Sequence, residues 1–527
     1  LNYLVAEGRE RVKGGETTVE YDLLGRIIAI TDPMGAATAY SYDANGNLLS
    51  VTDALRHVTA YEYDALNRVT AEIAPNGGKI VYAYDCVGNL IETTDALGHT
   101  TTYSYDAAGN LIGMTDALGQ AVGLEYDKNR RATTAIQKNG GVLATAYDKA
   151  GRVISETDAN KHTTRYRYGK TGLVSEITDA LGQKALFEYD ALGNVTKITA
   201  PGNAVTQYAY DISGRLTTQT DATGLVTEYG YDENSQLISV VTNGNESLYE
   251  YDAMGNVSSV TDAEGRCIKL TYDLNGNLTE IIYPDGTKDV TEYDALGRVV
   301  QSTPRTGLAT AYAYDESGNI VRMTQGEQTT AYEYDLLGRM VRQIAADGTE
   351  TVYAYDALGN LVGQTDELGN QTTFSYTAES LLEQVTYANG ASQSLSYDLA
   401  GNITGETDAE GNAKQYQYDK ANRLIAVVDE LGGKTSYAYD AMDHIVQVTD
   451  ALRHATKYTY DKDGNLTSET DALGNRVQYA YTPEGWLESI TRADGTVLTF
   501  EYDKTGSLLV QNVGDGQTVE SSYNEIG

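Results

Sequence analysis

The 527-residue sequence is short of most things that announce chemistry. Its two cysteines, Cys86 and Cys267, stand far apart and exclude a disulfide framework. Six prolines and one tryptophan leave room for uninterrupted sheet, because proline removes a donor from a strand ladder. There is no signal-peptide pattern and no apolar run of about 20 residues, so no membrane span is expected in this stretch. No window keeps a 3.6-residue apolar period long enough for a helix. Basic residues are outnumbered, 38 against 75 acidic ones, for a net charge of −37. The acids are scattered singly rather than gathered in a tail. Such a surface favours solubility and repels nucleic acid.

Candidate sites are equally scarce. Of five histidines, His57, His99, His162 and His454 hold the same place just after an Ala-Leu-Gly-type turn. They read as copies of one exposed slot, not as a converging metal cluster. Asp461-Lys462-Asp463-Gly464-Asn465 opens like a calcium loop. It lacks a further acidic ligand before the glycine and a glutamate twelve residues from the start. No serine has a recurring histidine partner, so a hydrolase triad has no support. Carboxylate pairs recur all along the chain, which marks structure, whereas a catalytic pair would be unique. The expectation is no catalytic residue, no cofactor site and no metal.

What is present is repetition. Tyrosines recur every 21 residues from Tyr21 to Tyr231, then from Tyr251 to Tyr314 and from Tyr334 to Tyr523, with a step of 20 before Tyr251 and before Tyr334. Of these 25, 21 are followed by Asp, the exceptions being Gly169, Thr377, Thr482 and Asn524. A fixed period signals one supersecondary unit stacked many times. The marks of one unit are Tyr105, Asp106, Gly109, Asn110, Thr115, Asp116 and Gly119. Two places before the Tyr-Asp slot lies a second aromatic slot, which holds all three phenylalanines, Phe187, Phe374 and Phe500. Residues i and i+2 of a strand share a face, so the rings line one side of a sheet. They pack that sheet or, in the functional alternative, form a stacking platform for a ligand.

Each unit carries two turn signals. Asp106 to Asn110 and Thr115 to Gly119 both pair a leading Asp, able to bond its own backbone, with a glycine suited to positive φ. Pro75-Asn76-Gly77, Pro284-Asp285-Gly286 and Ala388-Asn389-Gly390 are variants of the second. The unit is therefore a β-hairpin, with strands of about seven residues. An odd period requires one odd and one even loop, or a bulge in every unit. The two short steps are expected to be absorbed by shorter loops. Residues 1–20 fit the second half of a preceding unit, with Gly14 seven before Tyr21. Residues 21–527 form one array of about 24 units, and both ends look cut from a longer repeat.

With Tyr-Asp, Gly-Asn/Arg and Thr-Asp-x-x-Gly in register over the whole chain, the sequence resembles the Rhs/YD-repeat family. That family includes bacterial Rhs polymorphic toxins, wall-associated YD-repeat proteins, C components of insecticidal toxin complexes, and teneurins. The resemblance implies an all-β fold in which 21-residue hairpins make a continuous antiparallel sheet spiralling into a hollow shell. In the toxins that shell encloses a C-terminal toxic domain, after a self-cleaving core segment. Neither core nor toxin-like tail occurs in this sequence, so the family's protease residues have no positions here. About 50 strands at about 4.8 Å spacing would make a ribbon of order 240 Å, and strand twist obliges it to coil. A β-propeller would impose an alternation at 42 residues, which is absent. A parallel β-helix is disfavoured by two hairpin turns per unit.

The leading expectation is a non-catalytic shell segment of a secreted or surface-delivered toxin, whose partner is the enclosed toxin domain. The alternative is a cell-surface or wall-associated adhesin that binds glycans or a protein. An enzyme whose site lies outside this stretch is the third.

Overall fold

The computed structural model describes residues 6–12, 15–514 and 516–524. Gly14, the mark assigned to the leading half-unit, lies outside them. Among the described residues there are fifty strands and no α-helix, only a 3-10 turn at Pro201–Asn203. The strands are antiparallel members of a single sheet. In Thr100–Tyr105 the rings of Tyr103 and Tyr105 are sheltered while Thr102 and Ser104 are exposed, as a period of two demands.

Both turns of the unit have the same construction. Asp106 N–H donates to the Asn110 carbonyl at 2.9 Å and Gly109 N–H to the Asp106 carbonyl at 3.0 Å. In the second turn Asp116 N–H donates to Gln120 O and Gly119 N–H to Asp116 O, each at 2.9 Å. Gly109 and Gly119 both have φ of 79°. These are three-residue loops, a type I turn closed by a left-handed residue. Prolines 33, 75, 201, 284 and 483 occupy the second turn place, where a fixed φ near −65° fits. Because each turn takes five residues, the strands are shorter than the expected seven. Leu111–Thr115 has five residues and Ala121–Tyr126 six.

With two odd loops, the odd period is resolved by a bulge. Ser104 faces Gly113 but Tyr105 faces Leu111, leaving Ile112 as the extra residue. The same shift recurs before each Tyr-Asp slot whose pairing is described, for example at Glu188/Tyr189 and Thr459/Tyr460. The 20-residue steps are absorbed by two-residue loops, as expected. Thr242 faces Asn245 across Asn243 and Gly244, both left-handed at φ 50° and 80°. Gln325 faces Gln328 across Gly326, at φ 59°, and Glu327. These match the Asn-Gly and Gly-first hairpin types.

The register also slants the strands. Thr102 faces Thr115 and Thr115 faces Ala121, two residues short of Gly123, the equivalent of Thr102 one unit on. Two residues at about 3.4 Å, over two strand spacings of about 4.8 Å, tilt the strands by about 35°. That is the tilt at which sheets curl into barrels.

Two compact units are seen. One combines Leu1–Arg131, Tyr251–Ser259 and Ile268–Ala391; the other combines Ala132–Glu250, Val260–Cys267 and Ser392–Gly527. Inside each, an early run of hairpins lies against a late run. The buried apolar side chains among the described residues are Ala71, Ala159, Ala204, Ala426 and Leu498. Stability therefore resides in cross-strand stacking and turns, not in a central core.

Candidate functional site: the turn edges

The Tyr-Asp turn is a closed hydrogen-bond unit. Asp106 Oδ1 accepts the N–H groups of Ala108 at 2.8 Å and Asn110 at 2.9 Å, and Oδ2 accepts Asn110 Nδ2 at 2.7 Å. The Asn110 side chain, and then the backbone donors, hold the Asp106 carboxyl below its ordinary 3.8. Where Arg replaces Asn the same oxygen takes its guanidinium, as Asp294 takes Arg298 Nε at 2.8 Å. Asp116 in the second turn likewise accepts Leu118 and Gln120 N–H, at 3.0 and 2.9 Å. Thr115 ends its strand, facing Thr102 on one side and Ala121 on the other.

Most tyrosines of the Tyr-Asp slot reach back one unit. Tyr105 hydroxyl donates to Leu90 O at 2.9 Å, and Tyr126 hydroxyl to Leu111 O at 2.7 Å. Pairing of the strand after Leu111 stops at Gly113, so that carbonyl lies beyond the ladder and needs a donor. The residue closing the Tyr-Asp turn reaches forward instead. Arg26 lies 4.8 Å over the Tyr42 ring and donates to Asp43 O at 3.1 Å. His444 stacks on Tyr460 at 4.7 Å, and Trp486 packs on Tyr502 at 5.6 Å. Sequence reasoning missed this brace; the recurrence of Arg, His and Trp in one slot was its only signal.

The histidines require a correction. His57, His99 and His162 are half-buried, and only His454 is exposed. Nδ1 of His57 lies 2.8 Å from Asp53 Oδ2 and that of His99 lies 2.9 Å from Asp95 Oδ2. The ring copies what Asn and Arg do. Asp461 binds Asp463 N–H, Asn465 N–H and Asn465 Nδ2 like any other Tyr-Asp turn. Among the described residues no group of three or more His, Cys, Asp or Glu is arranged to hold a metal. Tyr166 is pushed up to about 12 by its 2.6 Å bond to Glu156, and by burial, so it is no base.

Within each compact unit the two turn types meet along a seam. Asn76 and Asn139, in Thr-Asp-type turns, donate to Leu336 O at 3.4 Å and Leu399 O at 3.2 Å in Tyr-Asp turns. Asn160 donates to Asp398 at 2.9 Å, and Asn422 donates to Asp158 at 3.1 Å. Asn275 donates to Asp32 at 2.7 Å, and Lys504 N–H to Glu264 at 2.9 Å. In all of these a Thr-Asp-type turn of the early run meets a Tyr-Asp turn 238 to 264 residues later. The interval is about twelve units. Ala159 and Asp116, on the early Thr-Asp edge, are buried.

Comparison with known proteins fits this geometry. The teneurin YD-shell profile matches residues 9–143 and 396–527, and the RHS repeat profile matches eight stretches between residues 147 and 413. No curated protein matches in sequence. Among solved structures, the Photorhabdus luminescens Tc holotoxin pore aligns over 99% of this chain and 33% of its own, at 15% identity and TM-score 0.51. The TcdB2-TccC3-TEV crystal structure aligns over 99% of this chain and 35% of its own, at 14% identity and TM-score 0.35. The chain thus spans about a third of the solved chains it matches. With both profiles lying on its hairpins, and its fold shared with a Tc holotoxin chain, this protein belongs to the Rhs/teneurin YD-shell repeat family.

Proposed function

We propose that the chain is a stretch of non-catalytic shell wall that encloses a toxin domain encoded after the repeats of a bacterial polymorphic toxin. The wall acts outside the producing cell, secreted or at its surface. The seam is the observation that supports this. A ribbon of hairpins joined only along its length would be a strip, whereas within each compact unit Thr-Asp-type turn edges dock on Tyr-Asp turns about twelve units later and join two runs of hairpins into one piece of wall. The carboxylates are consumed in turn geometry, and the tyrosines are held as donors, which suits containment better than chemistry.

The test is limited proteolysis of the full natural protein that contains this chain. The domain after the repeats is expected to survive while the repeats remain folded, and to be digested once denaturant opens them. Digestion at the rate of the free domain in native buffer would overturn the reading. Expression of the 527-residue chain by itself is expected to leave cells growing normally.

A further inference from the structure

Asn76, Asn139, Asn243 and Asn275 donate across the seam, and each of them precedes a glycine: Gly77, Gly140, Gly244 and Gly276. Asn160 and Asn422 donate across it too, but Lys161 and Arg423 follow them. Asn76 and Asn139 reach the carbonyl oxygens of Leu336 and Leu399. Asn275 reaches the Asp32 carboxylate at 2.7 Å, and Asn243 reaches that of Glu484. The turn explains the pairing of Asn with Gly. The residue at the tip extends over the seam, and the left-handed place after it, with φ between 80° and 85° in these four, favours glycine.

We propose that these four asparagines are sites of spontaneous deamidation, a modification that unfastens the seam. The backbone nitrogen of the glycine attacks the asparagine Cγ. The new N–C bond closes a cyclic imide, the glycine N–H gives its proton to hydroxide, and Nδ2 leaves as ammonia. Water then adds to one imide carbonyl and breaks one of its C–N bonds, leaving aspartate or, when the main-chain bond breaks, isoaspartate. Nothing is oxidised or reduced. Glycine suits the first step because no Cβ stands beside the attacking nitrogen. Asn139, Asn243 and Asn275 are exposed, so water reaches them. While the turn is closed the nucleophile is engaged, since Gly77 N–H donates to Ala74 O and Gly140 N–H to Gln137 O, each at 2.9 Å. Ring closure therefore awaits local opening of the turn, which makes the reaction slow. Its product reverses the contact. At 275 a carboxylate then faces Asp32, at 243 one faces Glu484, and at 76 and 139 one faces a carbonyl oxygen. Each donor becomes an acceptor set against an acceptor, with like charges at the first two. The effect is on the seam itself, whatever the wall encloses.

The experiment ages the full natural protein that contains this chain in mildly alkaline buffer, which supplies hydroxide, and maps deamidation by peptide mass spectrometry. Asn76, Asn139, Asn243 and Asn275 are expected to be modified well before Asn160 and Asn422. Opening of the seam is read by hydrogen exchange in the peptides that hold two cross-seam amides near Asn243. These are Ala222 N–H, which donates to Asp463, and Lys504 N–H, which donates to Glu264. As Asn243 is modified, exchange there should become about fivefold faster, the loss of one net hydrogen bond. Freshly prepared Asn243→Asp should show the same increase. Asn45→Asp, whose amide meets Asn67 on its own run, adds the same charge and should not. The aged protein carries no substitution, so the readout survives a variant that fails to fold. Modification of the four sites no faster than at Asn160 and Asn422 would overturn the proposal. So would unchanged exchange once Asn243 is modified, or an equal increase from Asn45→Asp.

Discussion

A phenol in the Tyr-Asp slot spreads its ring over the sheet and caps a backbone carbonyl, as Tyr210 does for Val195 O at 3.0 Å. Phenylalanine would keep the first contact and orphan the carbonyl. That accounts for Phe187, Phe374 and Phe500 lying only in the other aromatic slot. Tyr210→Phe is expected to cost about 0.5–1.5 kcal/mol, read as faster amide exchange in the flanking strands. Tyr208→Phe, which copies Phe187, should be near neutral, and equal effects would refute the capping role. The turn glycine makes a second pair. Gly193 sits at φ 93°, where a β-branched side chain is strained, so Gly193→Val should lower the melting temperature. Asn194→Arg should leave it unchanged or raise it slightly, because Arg298 in that slot keeps the Asp bond and lies 4.4 Å over Tyr314. Equal melting temperatures for the two variants would tell against this turn assignment. The left-handed place is not reserved for glycine, however. Arg56, Lys161 and Arg453 hold φ of 71°, 68° and 67° there, at a strain the closed turn absorbs.

At the scale of the hairpin, the bulge is what lets a 21-residue unit keep its faces. Two loops of equal, odd length would return each side chain to the wrong side after one unit; one unpaired residue restores it. Deleting Ile112 makes a 20-residue unit in which Leu111 and Gly113 pair directly with Tyr105 and Ser104, so both faces are kept. The expected result is exchange protection retained from Thr100–Tyr105 through Ala121–Tyr126. Loss of protection confined to these strands would show that the bulge itself is needed for pairing. Parity alone allowed either this solution or loops of unequal length. The sequence carries no mark for a bulge, because an aliphatic pair such as Leu111-Ile112 looks the same bulged or paired.

Over the whole molecule, many weak turns act in the same direction with pH. Asn110 beside Asp106 and Arg152 beside Asp148 hold those carboxyls below the ordinary 3.8. A depressed carboxylate contributes stability that is complete above its unfolded value and is lost as pH falls through the folded one. Each such turn is exposed and contributes little, but the motif recurs along the entire chain. Acidification also relieves the repulsion behind the −37 net charge, which works the other way. The turns are expected to prevail below about pH 4, since they are local and unscreened while the net charge acts at a distance. The urea midpoint should stay level from neutral pH to about 4 and fall below it. A midpoint that rises on further acidification would show that charge repulsion dominates.

The period of 21, the placement of two turns and the aromatic face follow from residue identity, since Asp, Gly and alternating side chains act within a few residues of themselves. The family follows for the same reason. Asp-Ala-Leu-Gly is written identically at 116–119 and 471–474, yet Leu118 is 47% exposed while Leu473 stands 88% exposed. Identical local energetics give identical turns, so nothing local can tell the two copies apart. What separates them is which turn lies beside them in the fold, as the early Thr-Asp-type turns meet Tyr-Asp turns 238 to 264 residues later. Contacts at that separation are made only by the folded sheet, and they decide how exposed each copy of the turn is.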